Sequence, residues 1–208
     1  MINVNFRLLG PSELLKDTKL LSDFACARTE ITFLLKLINA YHWQTYNHSI
    51  NVANLSKVLA AEIGLCEREI CNITLGALLH DIGKIKIDTA ILNKPGSLIQ
   101  SEWNIIKKHP KLGVSLLSKY DWSSIMLPLV EYHHEKIDGS GYYGLKGENI
   151  ALGAKIISMA DAFDAMSSPR PYQKARSSKR CFDEIKRNCG TQFDISLVSP
   201  FEKIVLAQ

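Results

Sequence analysis

Residues 78–84 read Leu78-Leu79-His80-Asp81-Ile82-Gly83-Lys84. Just upstream, Ile70, Ile73 and Ala77 recur at helical spacing, so the pair His80-Asp81 is expected at the C-terminal end of an amphipathic helix. An imidazole nitrogen beside a carboxylate suits a divalent iron, manganese or zinc ion. An aspartate that follows a histidine directly can offer one oxygen to each of two ions, so Asp81 is expected to bridge. Lys84, just past Gly83, is expected to reach phosphate oxygens or a leaving group as a point charge.

Helical patterns extend outward on both sides. Ile31, Leu34, Leu35 and Ile38 form one stripe. Val52, Leu55 and Leu59 form the next, which ends near Gly64, a helix-stop signal. His48 lies four residues before Val52 and so shares its inward face. Trp103 and Ile106 are expected on a short helix that carries His109, with Pro110 marking its end or a kink. Met126, Leu129, Val130 and His133 share a face, and His134 follows. Ile156, Met159 and Phe163 make the core stripe of a helix that also holds Asp161 and Asp164. Gly139, Gly141, Gly144 and Gly147 crowd residues 138–147 into a tight loop. One or two shorter helices are expected after Pro171. With no repeat and no linker, the chain reads as one all-α domain over residues 31–208. A helical N-terminal extension, residues 1–30, either covers a core face or builds a homodimer.

A single histidine on an apolar face is usually a satisfied core residue, and His42 keeps that reading. Agreement among segments argues otherwise for the rest. The residues in question are His48, His80, Asp81, His109, His133, His134 and Asp161, and four separate helices each place a His or Asp along, or at the end of, an inward face. Buried without a metal, they would leave many polar groups unsatisfied. Seven side chains exceed the needs of one four-coordinate ion, so two ions sharing ligands are expected. Adjacent metal pairs commonly hydrolyse phosphate esters.

The whole-chain properties are consistent with this. Hydrophobic residues make up 46% of the 208, enough for a sizeable core. The net charge of +4 is too small for a polyanion-coating protein but suits a small anionic substrate. Arg170, Lys174, Arg176, Lys179, Arg180, Lys186 and Arg187 read as a solvated helix face. No reader motif accompanies them, so nucleic-acid binding is not expected. Cys26, Cys66, Cys71, Cys181 and Cys189 are odd in number and lack CxxC spacing, as in a reduced, cytoplasmic protein. No signal-peptide pattern and no membrane-length apolar run is present.

The motifs form a longer series. His48-Ser49 leads into Val52-Ala53, and LLHDIGK spans 78–84. KPGSL follows at 94–98, KHPKLG at 108–113 and HHEKIDGSGYYGL at 133–145. ADAFDAM spans 160–166, then come Pro169-Arg170-Pro171-Tyr172 and GTQFD at 190–194. In this combination the chain resembles the HD-GYP family, a branch of the HD phosphohydrolase superfamily, over nearly its whole length. The resemblance implies a helical HD-type phosphodiesterase domain with a buried multinuclear site for two or three divalent ions, iron or manganese. Its implied substrate is cyclic di-GMP, opened to pGpG and in some members cut on to GMP. It implies His48, His80, Asp81, His109, His133, His134 and Asp161 as metal ligands, with Lys84 and Asp81 in catalysis. Asp164, Arg170, Gly141 and Tyr142 fall on the substrate side.

Three positions depart from the family pattern. Gly141-Tyr142-Tyr143 stands where the family has Gly-Tyr-Pro, so the loop is expected to be less constrained. Gln44 stands where three-metal members carry glutamate, which favours two ions. Gln173 replaces a frequent basic residue. Family domains usually follow a sensor, for which this chain has no room. A separate sensor protein or a diguanylate cyclase is therefore the expected partner. Two alternatives stay open: an HD phosphohydrolase acting on another nucleotide such as cyclic GMP-AMP, and a non-catalytic signalling module that binds a diguanylate cyclase.

Overall fold

A computed structural model of the chain describes residues 9–10, 13–14, 25–168 and 175–206. The regular elements among the described residues are all helices. In chain order the helices are α1 (Ala25–Tyr41), α2 (Trp43–Glu62), α3 (Glu67–Leu79), α4 (Thr89–Leu92), α5 (Gln100–Ile106), α6 (His109–Leu117), α7 (Leu127–Tyr132), α8 (Leu152–Ser167), α9 (Ser178–Arg187) and α10 (Ile195–Leu206). A 3-10 segment, Ile82–Lys86, follows α3. No helix among the described residues is long and apolar enough to cross a membrane.

The expected stripes form the core. Ile31, Leu34, Leu35 and Ile38 of α1 are buried, as are Val52, Leu55 and Leu59 of α2. Central α2 packs against α1, α3, α8 and α10. Gly64 follows the end of α2 with φ +80°, and its N–H and that of Leu65 bond back to Ala61 O and Ala60 O. Only a residue without Cβ takes that conformation cheaply. Ile156, Met159 and Phe163 of α8 are buried, and Phe163 meets Phe201 of α10 edge-on.

Three features differ from the sequence reading. First, α1 runs unbroken through position 30, so the division between residues 30 and 31 falls inside a helix. On its N-terminal side, Leu14 is buried in the core, and the Leu9 backbone exchanges two hydrogen bonds with the Asn54 amide, at 2.9 and 3.0 Å. Leu9 and Leu14 thus lie against the hydrophobic core. Second, His42 is a cap rather than a core residue: its Nδ1 accepts from Thr45 N at the start of α2, and its Nε2 meets Asn93 Oδ1 at 3.1 Å. Third, His109 does not ride on the Trp103 helix. That helix ends at Ile106, and His109 opens α6 with Pro110 in its first turn. Proline suits that place, where its φ is pre-set and its missing N–H has no intrahelical partner anyway.

Gly83 brings the site together. A Cβ there would stand 1.9 Å from His109 O and 2.6 Å from Gly113 N. The 3-10 segment after Asp81 thus lies directly on the backbone of α6. This contact brings Asp81 and His109, 28 positions apart in the chain, to one point.

Candidate metal centre

Three imidazoles are oriented by the same device. His80 Nδ1 bonds Ala77 O at 2.7 Å, His109 Nδ1 bonds Ile106 O at 2.8 Å, and His133 Nδ1 bonds Val130 O at 2.7 Å. Each carbonyl lies in the last turn of a helix, α3, α5 and α7 respectively, where carbonyls lack intrahelical partners. The bond fixes the proton on Nδ1 and leaves Nε2 as a bare lone pair facing inward. Burial favours the neutral rings. It lowers His80, lowers His133 well below the usual value, and takes His109 to about 3 and His134 to about 4.

His48 is held differently. Its Nδ1 lies 2.6 Å from Asp164 Oδ2 and its Nε2 2.9 Å from Asp161 Oδ1. Burial acts to lower its pKa, but the two carboxylates outweigh burial and raise it to about 9. Asp164 is buried, and its second oxygen accepts from Asn51 Nδ2 and Ser168 Oγ. Both of its oxygens thus have partners within the protein. Asp161 also reaches towards His134, with Oδ2 3.9 Å from Nδ1.

Asp81 stands between the rings. Its Oδ1 is 3.1 Å from His109 Nε2, and its Oδ2 is 3.5 Å from His80 Nε2, 3.9 Å from His48 Nε2 and 2.6 Å from Lys84 Nζ. Burial would raise its pKa, yet Lys84 and the surrounding imidazoles hold it well below the carboxylate range. Two groups of three donors result, His48-His80-Asp81 and His109-His133-His134, with the ligand atoms of each group within 4.8 Å of one another. All seven side chains singled out in the sequence converge here.

The donor set fits divalent cations. His109 Nε2 faces His133 Nε2 at 3.2 Å, so acceptor faces acceptor. His80 Nε2 and Asp81 Oδ1 are buried with no hydrogen-bond partner among the described residues. Inward-facing nitrogen and oxygen lone pairs of this kind carry a large burial cost unless a cation is shared among them.

A loop covers one side of the centre. The Tyr142 ring lies 4.7 Å from the His134 ring, and Lys107 Nζ stands 5.4 Å from the Tyr142 centroid. Burial, followed by Asp161 and Asp81, pushes the Tyr142 hydroxyl up to about 12. Gly141 packs on Glu135 and His134. The sequence reading missed Glu135, whose buried carboxylate accepts from Tyr143 N at 2.7 Å and Leu145 N at 2.6 Å. Its signal was available: an acidic residue just before a glycine-rich turn whose N–H groups need acceptors. The Tyr143 N–H thus makes a hydrogen bond that a residue without an N–H could not. Asp138 N bonds Thr191 O at 2.9 Å, so the GTQFD segment braces the base of the loop. Arg170 lies outside the described residues.

A family model described as HD domain matches residues 32–197. This chain belongs to the HD domain family. The chain is 37% identical over 84% of its length to "Cyclic di-GMP phosphodiesterase" of Thermotoga maritima, of which it covers 49%. It is 33% identical over 83% of its length to "3'3'-cGAMP-specific phosphodiesterase 3" of Vibrio cholerae, of which it covers 38%. The chain thus spans half or less of these relatives. Among solved structures, the HD domain resembles Bd1817, a protein of Bdellovibrio bacteriovorus, in fold. The TM-score is 0.64 at 24% identity, covering 76% of this chain and 51% of that one.

Proposed function

We propose that this HD domain is a metal-dependent phosphodiesterase of the HD-GYP branch, in its Gly-Tyr-Tyr form, that hydrolyses cyclic di-GMP to pGpG. The observation that carries the reading is the meeting of two three-donor groups at Asp81. The printed function of the Thermotoga maritima relative supports the substrate class. His48, His80, His109, His133, His134 and Asp161 would hold two divalent ions, iron or manganese, with Asp81 between them. When bound, such a pair lowers the pKa of water and offsets charge on the phosphate.

The chain's own residues supply the rest. The carbonyl bonds at His80, His109 and His133 keep each Nε2 free to ligate. Asp164 holds His48 in place. Lys84 puts a fixed positive charge beside Asp81, where it meets phosphate oxygens. Tyr142 keeps its hydroxyl proton and so remains a donor towards the substrate. Arg170 carries the fork geometry for a phosphate or a guanine edge. The free thiols Cys66 and Cys189 accord with a cytoplasmic setting, and a separate sensor or a diguanylate cyclase is the partner this reading calls for.

A second substrate, cyclic GMP-AMP, is favoured by the similarity to the Vibrio cholerae enzyme. Anaerobic metal analysis, combined with product chromatography on cyclic di-GMP, cyclic GMP-AMP and pGpG, tests both. Two metal equivalents and turnover of cyclic di-GMP are expected. Metal-loaded protein that leaves all three nucleotides intact would return the domain to the binding-module reading.

A further inference from the structure

His134 lacks the support its neighbours have. His80, His109 and His133 each bond a carbonyl, and His48 is gripped by Asp161 and Asp164. Among the described residues no hydrogen bond holds the His134 ring, and Asp161 Oδ2 stays 3.9 Å away. Three rings lie against it: His133 at 4.0 Å and His109 at 5.0 Å, both expected at the metal centre, and Tyr142 of the loop, tilted 36° at 4.7 Å.

Tyr142 is fixed from both sides. Before it, Gly141 lies flat against the chain, and a Cβ there would stand 2.6 Å from Glu135 Cα and 2.8 Å from His134 O. After it, Tyr143 N donates to Glu135 Oε1 at 2.7 Å, and Leu145 N donates to Oε2 at 2.6 Å. Glu135 is buried and follows His134 directly in the chain. The backbone therefore leaves His134, is anchored at Glu135, and returns through Tyr142 to face the same imidazole. Charge-assisted bonds to backbone N–H groups are stronger than neutral ones, and a buried carboxylate that loses one is left underpaired.

We propose that Glu135 and Tyr142 are positioning residues for His134: the Tyr142 ring sets the imidazole plane, and the Glu135 carboxylate sets the ring. The inference rests on the metal-dependent reading above. It also gives the Tyr143 N–H a purpose, since a hydrogen bond here fixes the backbone that a proline ring would otherwise restrict.

The test is Mn2+ titration of metal-stripped protein, followed by calorimetry and by the Mn2+ spin-resonance signal. Alterations to the groups that orient a ligand typically weaken metal binding by about ten- to a hundredfold. Glu135→Gln presents an amide nitrogen to a backbone N–H, and Tyr142→Leu removes the ring. Each should weaken one Mn2+ equivalent by about tenfold or more and leave the other unchanged. Tyr142→Phe keeps the ring and should bind Mn2+ as the native chain does. The double variant Glu135→Gln/Tyr142→Leu should fall no further than either single change, because both act through one ring. Native-like Mn2+ binding in Glu135→Gln and Tyr142→Leu overturns the proposal, as does a loss in Tyr142→Phe equal to that in Tyr142→Leu. If Glu135→Gln fails to fold, the comparison of leucine with phenylalanine at position 142 decides. Native protein that binds Mn2+ but hydrolyses no cyclic dinucleotide overturns the functional reading and leaves this one standing.

Discussion

The Nε2 atoms of His109 and His133 stand 3.2 Å apart, and neither carries a proton. Both Nδ1 protons are committed to backbone carbonyls, and burial keeps both rings neutral. Two lone pairs aimed at each other repel, and a cation between them removes the repulsion. Mn2+ should therefore stabilise the fold. At a hundred times the dissociation constant the gain is about 2.7 kcal/mol. For a domain of this size that raises the melting temperature by roughly 5–10 °C. Thermal melts with Mn2+ and with chelator check this, and coincident melts would refute the metal assignment.

Asp81→Ala removes the carboxylate that touches both donor groups. Most bound metal and all hydrolysis should disappear while circular dichroism stays helical. A fully active variant would exclude Asp81 as the bridge.

Lys84→Ala should retain metal and lose turnover by a factor on the order of a hundred. Arg170→Ala should chiefly raise KM. If neither constant moves in either variant, both side chains belong to the ordinary surface.

Gly83→Ala drives a methyl group into the His109 carbonyl. The expected cost is about 1–3 kcal/mol of stability, together with weaker metal binding, because His109 must shift. Denaturant unfolding and metal titration measure the two effects. A variant that is native-like in both would mean that the contact between Ile82–Lys86 and α6 does not set the site.

Asp164→Asn separates two roles for one residue. If Asp164 orients His48, metal affinity should fall about tenfold and KM should stay near the native value. A raised KM with unchanged metal affinity would put Asp164 back among the substrate contacts.

Much of this centre was legible in the chain because several of its candidate donors obey helical periodicity. His48 and Val52 share a face, and so do Val130 and His133 with Met126 and Leu129; all of these apolar partners proved buried. Gly64 ended α2 as its residue type requires. The misreadings have local causes. Pro110 can end one helix or begin the next, and nothing in the Trp103–His109 spacing decides which. That Asp164 grips His48 Nδ1 was not legible, because only the rotation of α8 against α2 brings the two together. Glu135 acts through backbone N–H groups, which leave no pattern of side chains to read.

α3, α5 and α7 all turn their carbonyl ends towards the same imidazoles, and such ends carry partial negative charge. With two divalent ions in place, the carboxylates of Asp81 and Asp161 cannot cancel the metal charge, and neutral imidazoles add nothing. The helix ends temper the excess without abolishing it. What remains is a centre short of anionic charge, which a bridging phosphate can complete. Selectivity for anions would then be a property of the backbone architecture as much as of any residue at the rim.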